Sequence, residues 1–193
     1  KGKQHLIVHD ETLMLRPELP LLGDHNVADA VAAVLAVLAA VPGFDSLDGH
    51  HRLAAALRVF QPPAHRLEPV GEPGGVLWVN DSKATNVASA RVAIESMTRP
   101  TVLLLGGRHK GEPYTALLDA IARHCRLVLA YGEAAERIEG DLLARAPVQR
   151  VGGSFAEVVS RARAVARPGD AILLAPACSS YDMFANYEER GRA

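Results

Sequence analysis

The distribution of apolar residues divides the chain into a short first part and a longer second part. The first part contains two short β-like runs and two helical patterns: 5–9, 12–15, 26–40 and 46–59. Consecutive prolines, Pro62 and Pro63, then interrupt the pattern, because proline cannot continue a helix. We therefore expect a domain boundary at 61–63.

The residues that flank the two helical patterns suggest where the helices begin and end. Asn26 is expected to cap the first helix, since its side chain can accept hydrogen bonds from the free amides of the first turn. Gly43 is a suitable stop signal after that helix. The second pattern places Leu53, Leu57 and Phe60 on one face, which should be buried.

In the second part, strand patterns alternate with helical patterns. The predicted strands are 65–70, 76–80, 101–105, 126–130, 148–151 and 170–174. The predicted helices are 86–97, 113–123, 133–145, 155–166 and about 180–190. This alternation is typical of βαβ units. It predicts an α/β fold in which a Rossmann-like, mostly parallel sheet carries helices on both faces.

Composition narrows the classes of function. A net charge of -1 without a basic stripe argues against a nucleic-acid partner. The longest apolar run, 27–41, is too short for a membrane span and predicts a buried helix. Two cysteines, Cys125 and Cys178, make neither a disulfide framework nor a zinc site, which fits a cytoplasmic protein. No metal-ligand spacing is present among five histidines: His5, His9, His50, His51 and His124.

Three polar segments lie between a predicted strand and a helix start: 80–86, 106–111 and 176–182. Ligands of open parallel sheets bind beyond the carboxyl ends of the strands. Helix N-termini together with Lys83 and Lys110 suit a small ligand with several negative charges. Each segment alone also fits an ordinary helix cap or turn, so the pattern supports an anion-binding α/β domain and no more. A P-loop and a dinucleotide fingerprint are both absent from the sequence.

Several strings together resemble the Mur ligase family, most closely its members that add D-glutamate to UDP-N-acetylmuramoyl-L-alanine. These strings are GDHN at 23–26, HR at 65–66, NDSKATN at 80–86, GGRHKG at 106–111 and PACSSYDMFANYEERG at 176–191. The resemblance covers about residues 21–193. It implies an ATP-dependent amide-bond ligase of cytoplasmic peptidoglycan precursor synthesis that acts through an acyl phosphate.

The resemblance also implies a domain organisation. Residues 1–60 would be the tail of a central ATPase domain, and 61–193 a C-terminal Rossmann-like domain that binds the amino acid. The P-loop, the carbamylated lysine and the main Mg²⁺ ligands would lie upstream of Lys1, so we expect both ends to be truncated and this chain to be inactive alone. The expected cofactors are ATP and Mg²⁺. UDP-N-acetylmuramoyl-L-alanine, glutamate and ATP are the expected partners of a monomer without a membrane span.

Roles for single residues follow from the same resemblance. The implied nucleotide-binding residues are Asn26, Arg66, Asp81 and Lys83. The implied glutamate-binding residues are Thr85, Lys110, Ser180 and the backbone around Tyr187. No catalytic side chain and no metal ligand is assigned to this chain.

Three further residues near these loops are expected to have no direct role in chemistry. Arg108 and His109 are expected at the rim of the site. Cys178 lies near a helix start, which can activate a thiol, but the resemblance makes it structural.

Two alternatives remain open at this point. A sister ligase that adds a diamino acid or L-glutamate would share the fold. A regulatory anion-binding α/β module without chemistry would also share the pattern, although the NDSKATN string speaks against it.

Overall fold

The computed structural model describes residues 5–8 and 11–193. Its contacts divide the chain into two compact units, Lys1–Pro62 and Pro63–Ala193. His9, the last residue of the first predicted strand, lies outside the described residues. Within the described residues, no helix is long and apolar enough to cross a membrane.

The first unit packs two helices with a two-stranded antiparallel sheet. Its elements are β1 (His5–Val8), β2 (Glu11–Leu15), α1 (Asp24–Ala40) and α2 (Leu47–Val59). They share a core that is formed by Leu6, Leu13, Met14, Leu19, Leu21, Ala30, Val34, Leu53 and Ala54. Leu57 packs against this core as predicted, whereas Phe60 follows the end of α2 and is 49% exposed.

The predicted cap of α1 is wrong. The helix begins at Asp24, after Gly23, whose φ of 83° lies in the left-handed region that glycine tolerates. Asn26 is therefore inside the first turn, and its Nδ2 donates to the carbonyl of Leu22 at 2.7 Å. The helix ends at Ala40, ahead of Gly43.

The second unit is built on a six-stranded sheet. Its strands are β3 (Glu68–Gly71), β4 (Leu77–Asn80), β5 (Thr101–Gly106), β6 (Cys125–Tyr131), β7 (Val148–Arg150) and β8 (Ala171–Leu174). Its helices are α3 (Val87–Glu95), α4 (Leu118–His124), α5 (Ala135–Leu142), α6 (Phe155–Val165) and α7 (Tyr187–Arg192). The strand order is β3-β4-β8-β5-β6-β7, and only the β3–β4 pair is antiparallel. This arrangement confirms the predicted fold class.

The sheet is buried on both faces. Val102 and Leu104 of β5 pack with Val158 and Ala162 of α6 on one face. Successive residues of a strand point to opposite faces, so Leu103 points to the other face, where it is 0% exposed. A strand that is apolar over nearly its whole length, such as β5 after Thr101, is what this double covering requires.

Several predicted elements are shorter in the structure, and two of them begin later because the residues before them form turns or loops. The strand predicted at 65–70 begins only at Glu68, because His65 (φ 64°) and Leu67 (φ 42°) adopt left-handed conformations that no strand accommodates. The helix predicted at about 180–190 is reduced to Tyr187–Arg192, and the residues before it form a loop.

The strand order explains where the polar loops go. Strands β4, β8 and β5 are neighbours and run parallel, so their carboxyl ends lie side by side. The three polar segments follow these three strands. They therefore leave the sheet at the same edge.

Candidate functional site

Backbone hydrogen bonds join the three loops at the carboxyl edge of the sheet. Ala177 N–H donates to the carbonyl of Ala84 at 2.9 Å, which links the loop after β8 to the loop after β4. Arg108 and Ser179 exchange two backbone hydrogen bonds, 2.9 Å and 3.1 Å long, which link the loop after β5 to the loop after β8. The loops thus form one connected surface.

Thr85 and Lys110 meet on this surface. Lys110 Nζ donates to Thr85 Oγ1 at 3.2 Å; the lysine is exposed, and the threonine is half-buried. An ammonium group beside a hydroxyl offers a charge and further donors to one carboxylate. The structure brings together these two residues, and their role in binding glutamate stays a prediction.

Ser180 and Tyr187 belong to the same loop cluster. Ser180 is 3% exposed, and its carbonyl accepts from Met183 N–H at 3.1 Å and from Phe184 N–H at 2.8 Å. The carbonyl of Tyr187, at the start of α7, accepts from Ser82 Oγ at 2.8 Å. The backbone at Tyr187 is thereby tied to the loop after β4.

Lys83 is held by the side chain of Tyr187. Its Nζ donates to the phenolic oxygen at 3.2 Å and lies 5.0 Å from the centre of the ring. Because Lys83 is exposed, such a contact contributes little to stability. The lysine is therefore able to turn towards an anionic ligand.

Asp81 and Arg66 form a second pair of predicted residues that are close in space. Asp81 is 9% exposed, and its Oδ1 accepts from Leu67 N–H at 3.3 Å. Burial raises the pKa of Asp81 to about 6, although the Leu67 hydrogen bond and the charge of Arg66 act in the opposite direction. Arg66 is exposed, so its guanidinium is accessible to a ligand.

We expect Asp81 to make the stability of the 193-residue chain depend on pH. The pKa of Asp81 is about 6 in the folded chain and 3.8 in the unfolded chain, so folding favours the protonated form. This contribution is fully present below pH 3.8 and is lost as the pH rises through about 6. The difference between the two pKa values corresponds to about 3 kcal/mol of unfolding free energy.

Urea unfolding between about pH 4 and about pH 7 measures this loss. Asp81→Asn is the matched variant, because its amide stays neutral and its oxygen can still accept from Leu67 N–H. The variant should lack this loss. The same pH dependence in both proteins would rule out Asp81 as its source.

Asn26 belongs to the first unit. Its side chain is engaged by the Leu22 carbonyl, and Asp29 lies three residues further along α1, where it is exposed. The predicted contact of Asn26 with a nucleotide therefore stays a prediction.

A buried polar chain supports the loop that carries Lys110. His109 Nδ1 lies 3.0 Å from the hydroxyl of Tyr114, which lies 2.9 Å from Cys178 Sγ. Burial raises the pKa of Cys178 to about 11, so the thiol stays protonated at neutral pH. This environment argues against a nucleophilic cysteine.

Arg108 forms an exposed ion pair at the edge of the cluster. Its guanidinium binds the Glu133 carboxylate through two hydrogen bonds of 3.0 Å each. Exposed pairs of this kind add little stability. The link between the loop after β5 and the loop after β8 is made instead by the backbone of Arg108, which pairs with Ser179.

Sequence reasoning missed one residue of this region, Arg190. Its side chain is 1% exposed and contacts the loops after β4 and β8. Arginine is rarely buried, so a polar pattern such as NYEER predicts an exposed side chain. The resemblance covers Arg190 but gave it no role.

The described residues contain no group of three or more His, Cys, Asp or Glu side chains that could hold a metal ion. The donors gathered here are cations, hydroxyls and amides. They fit anionic groups of a ligand, and they do not form a metal site by themselves.

Sequence comparison finds a matching protein family and similar known proteins. Residues 65–178 match the protein family described as Mur ligase, glutamate ligase domain. UDP-N-acetylmuramoylalanine--D-glutamate ligase from Salinibacter ruber is 43% identical over 182 residues, which cover 94% of this chain and 38% of that protein. The enzyme of the same name from Pseudomonas putida is 41% identical over 195 residues, which cover 99% of this chain and 42% of that protein. The chain thus spans about two fifths of the length of the curated relatives it matches.

Solved structures show a similar fold. A bifunctional folylpolyglutamate synthase/dihydrofolate synthase with Mn, AMPPNP and L-glutamate bound superposes with a TM-score of 0.57 and 16% identity. The match covers 86% of this chain and 38% of that one. At this identity the comparison supports the fold alone.

Proposed function

The chain belongs to the Mur ligase family, and we propose that it is the amino-acid-binding part of a ligase that joins D-glutamate to UDP-N-acetylmuramoyl-L-alanine. The observation that carries the proposal is the contact between Lys110 and Thr85 at the joined carboxyl edge of the sheet. Residues 1–60 would be the tail of the ATPase domain, and 61–193 the domain that binds glutamate. The two relatives named above carry this activity in their names.

The positive charge of Lys110 and the hydrogen bonds that join the loops support a dicarboxylate ligand. Lys110 and Thr85 would bind one carboxylate, and Ser180 with the backbone at Tyr187 would bind the other. Backbone hydrogen bonds between the loops hold these groups in place before the ligand arrives. Such preorganisation reduces the entropy that binding must overcome.

ATP and a divalent cation complete the proposed reaction. Arg66 and Lys83 are exposed cations that could meet the phosphates, and Asn26 could contact the base. Mg²⁺ would neutralise phosphate charge, and its main ligands would belong to the part of the enzyme that precedes this chain. A structural neighbour contains Mn and AMPPNP, which is in keeping with this assignment.

The contribution of this chain to the chemistry would be orientation. In the ligase reaction the sugar-linked carboxylate is activated as an acyl phosphate, and the amine of glutamate displaces the phosphate to form the amide. If both glutamate carboxylates are bound by the loops, the amine is the one nucleophile left free to attack. Fixing its direction converts an encounter in solution into a positioned reaction, which can lower the barrier by several kcal/mol.

We expect the 193-residue chain alone to release no phosphate from ATP above background. It would lack the loop that holds the triphosphate, and no P-loop string occurs in its sequence. A coupled phosphate assay with both substrates and Mg²⁺ measures this, and the full-length enzyme is the positive control. Steady turnover by the chain alone would contradict the proposed division of labour.

The choice of amino acid has a direct test. Full-length enzyme should form the amide product with D-glutamate and ATP, as detected by mass spectrometry, and should bind D-glutamate more tightly than L-glutamate in calorimetry. Ligation of a diamino acid or of L-glutamate would favour a sister ligase. Binding without any ligation would favour a non-catalytic module.

Family membership leads us to propose a cytoplasmic monomer whose partners are small molecules.

A further inference from the structure

Arg190 is a fully buried arginine whose three hydrogen bonds join separate loops. It lies in α7 and is 1% exposed. Its Nε donates to Ser82 Oγ at 2.9 Å, and one terminal nitrogen donates to the Ser82 carbonyl at 2.8 Å. The other terminal nitrogen donates to the Cys178 carbonyl at 3.2 Å. The guanidinium thus bridges the loop after β4 and the loop after β8.

The loop after β5 also packs against this guanidinium. A Cβ placed on Gly107 would lie 3.2 Å from a terminal nitrogen of Arg190 and 2.3 Å from the carbonyl oxygen of Ser179. The absence of a side chain at Gly107 therefore lets the third loop approach. Arg190 therefore hydrogen-bonds two of the loops that carry the proposed ligand-binding residues and lies next to the third.

Ser82 extends the connection to α7. Its hydroxyl accepts from Arg190 Nε and donates to the carbonyl of Tyr187 at 2.8 Å. Arg190 and Tyr187 lie on the same helix, three residues apart. The backbone at Tyr187 is therefore fixed by the same network that fixes the loops.

Among the residues that the structure describes, the acceptors of Arg190 are a hydroxyl and two carbonyls, all of them uncharged. Burying a guanidinium without a carboxylate partner is costly, so stability alone does not favour arginine here over an apolar residue. What arginine supplies is a rigid planar fork with donors in fixed directions, which lysine cannot reproduce. The geometry of the loops is thus the property that depends on this side chain.

We propose that Arg190 is a positioning residue for amino-acid binding: it holds the three loops in the arrangement that places Thr85 and Lys110 opposite Ser180 and Tyr187. The inference rests on the proposed function, because it assigns a role within that site. Arg190 acts through the loops and does not touch the ligand.

Arg190→Lys in the full-length enzyme tests the proposal. The glutamate KM should rise about tenfold or more, because the lysine keeps the charge but loses the fork. The kcat should change by less than about threefold, since the loss falls on binding and spares the chemical step. Ser82→Ala should act in the same direction, and it keeps the test open if the lysine variant does not fold.

Arg192→Lys is the matched control, because Arg192 is exposed on the same helix. It should leave the glutamate KM and the thermal midpoint unchanged. A merely structural role for Arg190 predicts a smaller active fraction, which lowers kcat and leaves KM as it is. That result, or a folded Arg190→Lys enzyme with the wild-type KM, would overturn the inference. If the unmodified enzyme does not use glutamate, the proposed function itself fails.

Discussion

Lys110→Ala in the full-length enzyme should raise the glutamate KM by about 10- to 100-fold. The substitution removes an ammonium group that would bind a carboxylate, and hydrogen bonds to charged groups contribute about 1.5–3 kcal/mol. Lys110 is exposed, and the one side-chain contact described for it is with Thr85, so the fold should tolerate the change. Steady-state kinetics with varied glutamate at saturating ATP measures the effect.

Two further variants make this result specific. Thr85→Val removes only the hydroxyl, and its effect should not add fully to that of Lys110→Ala if both side chains bind one carboxylate. Arg145→Ala removes a positive charge from an exposed position after α5 and should leave the glutamate KM unchanged. An unchanged KM for Lys110→Ala, or strict additivity with Thr85→Val, would remove the pair from the site.

The alternation of strands and helices in the second unit could be predicted because each element carries its own signal. Strand β5 is apolar after Thr101 and lies within one residue of its predicted bounds. Helix α6 begins after Ser154, whose side chain and that of Glu157 form a capping box. Signals of this kind depend on neighbours in sequence, so they are visible without a structure.

Features set by distant residues could not be predicted. Nothing in the order of the strands along the chain shows that β8 lies between β4 and β5. Two carboxylates hold the turn at His65 and Leu67. The Glu68 carboxylate accepts from His65 N–H at 2.8 Å, and the Asp81 carboxylate accepts from Leu67 N–H at 3.3 Å. A local pattern assigns such residues to a strand because their partners, particularly Asp81, are not visible in it.

The residues of the candidate site likewise include some that could be predicted from local sequence and others that could not. The polar loops, Lys83 and Lys110 could be found from their place after predicted strands. Arg190 could not, because its burial depends on three loops from different parts of the chain. The contact between Thr85 and Lys110 depends in turn on the strand order.

Gly107→Ala should cause a large loss of stability at the junction of the loops. The new Cβ would lie 2.3 Å from the Ser179 carbonyl oxygen and 3.0 Å from Cys178 Cβ, and the φ of 127° is strained for alanine. Backbone on one side and a buried side chain on the other leave little room to shift. We expect the free energy of unfolding to fall by about 2–4 kcal/mol in urea titrations of the 193-residue chain.

Gly140→Ala provides the matched control for the same chemical change. Gly140 lies inside α5, and a Cβ placed on it would have no atom outside its own helix turn within 4 Å, so alanine should stabilise the helix by about 0.5–1 kcal/mol. Opposite signs for the two substitutions would show that the cost at Gly107 comes from the junction of the loops and not from the loss of a glycine. Equal effects would mean that the loops are loosely joined. The proposed glutamate site would then lack the rigid frame that it needs, because Gly107 lies next to the same Arg190 and Ser179 that connect the loops.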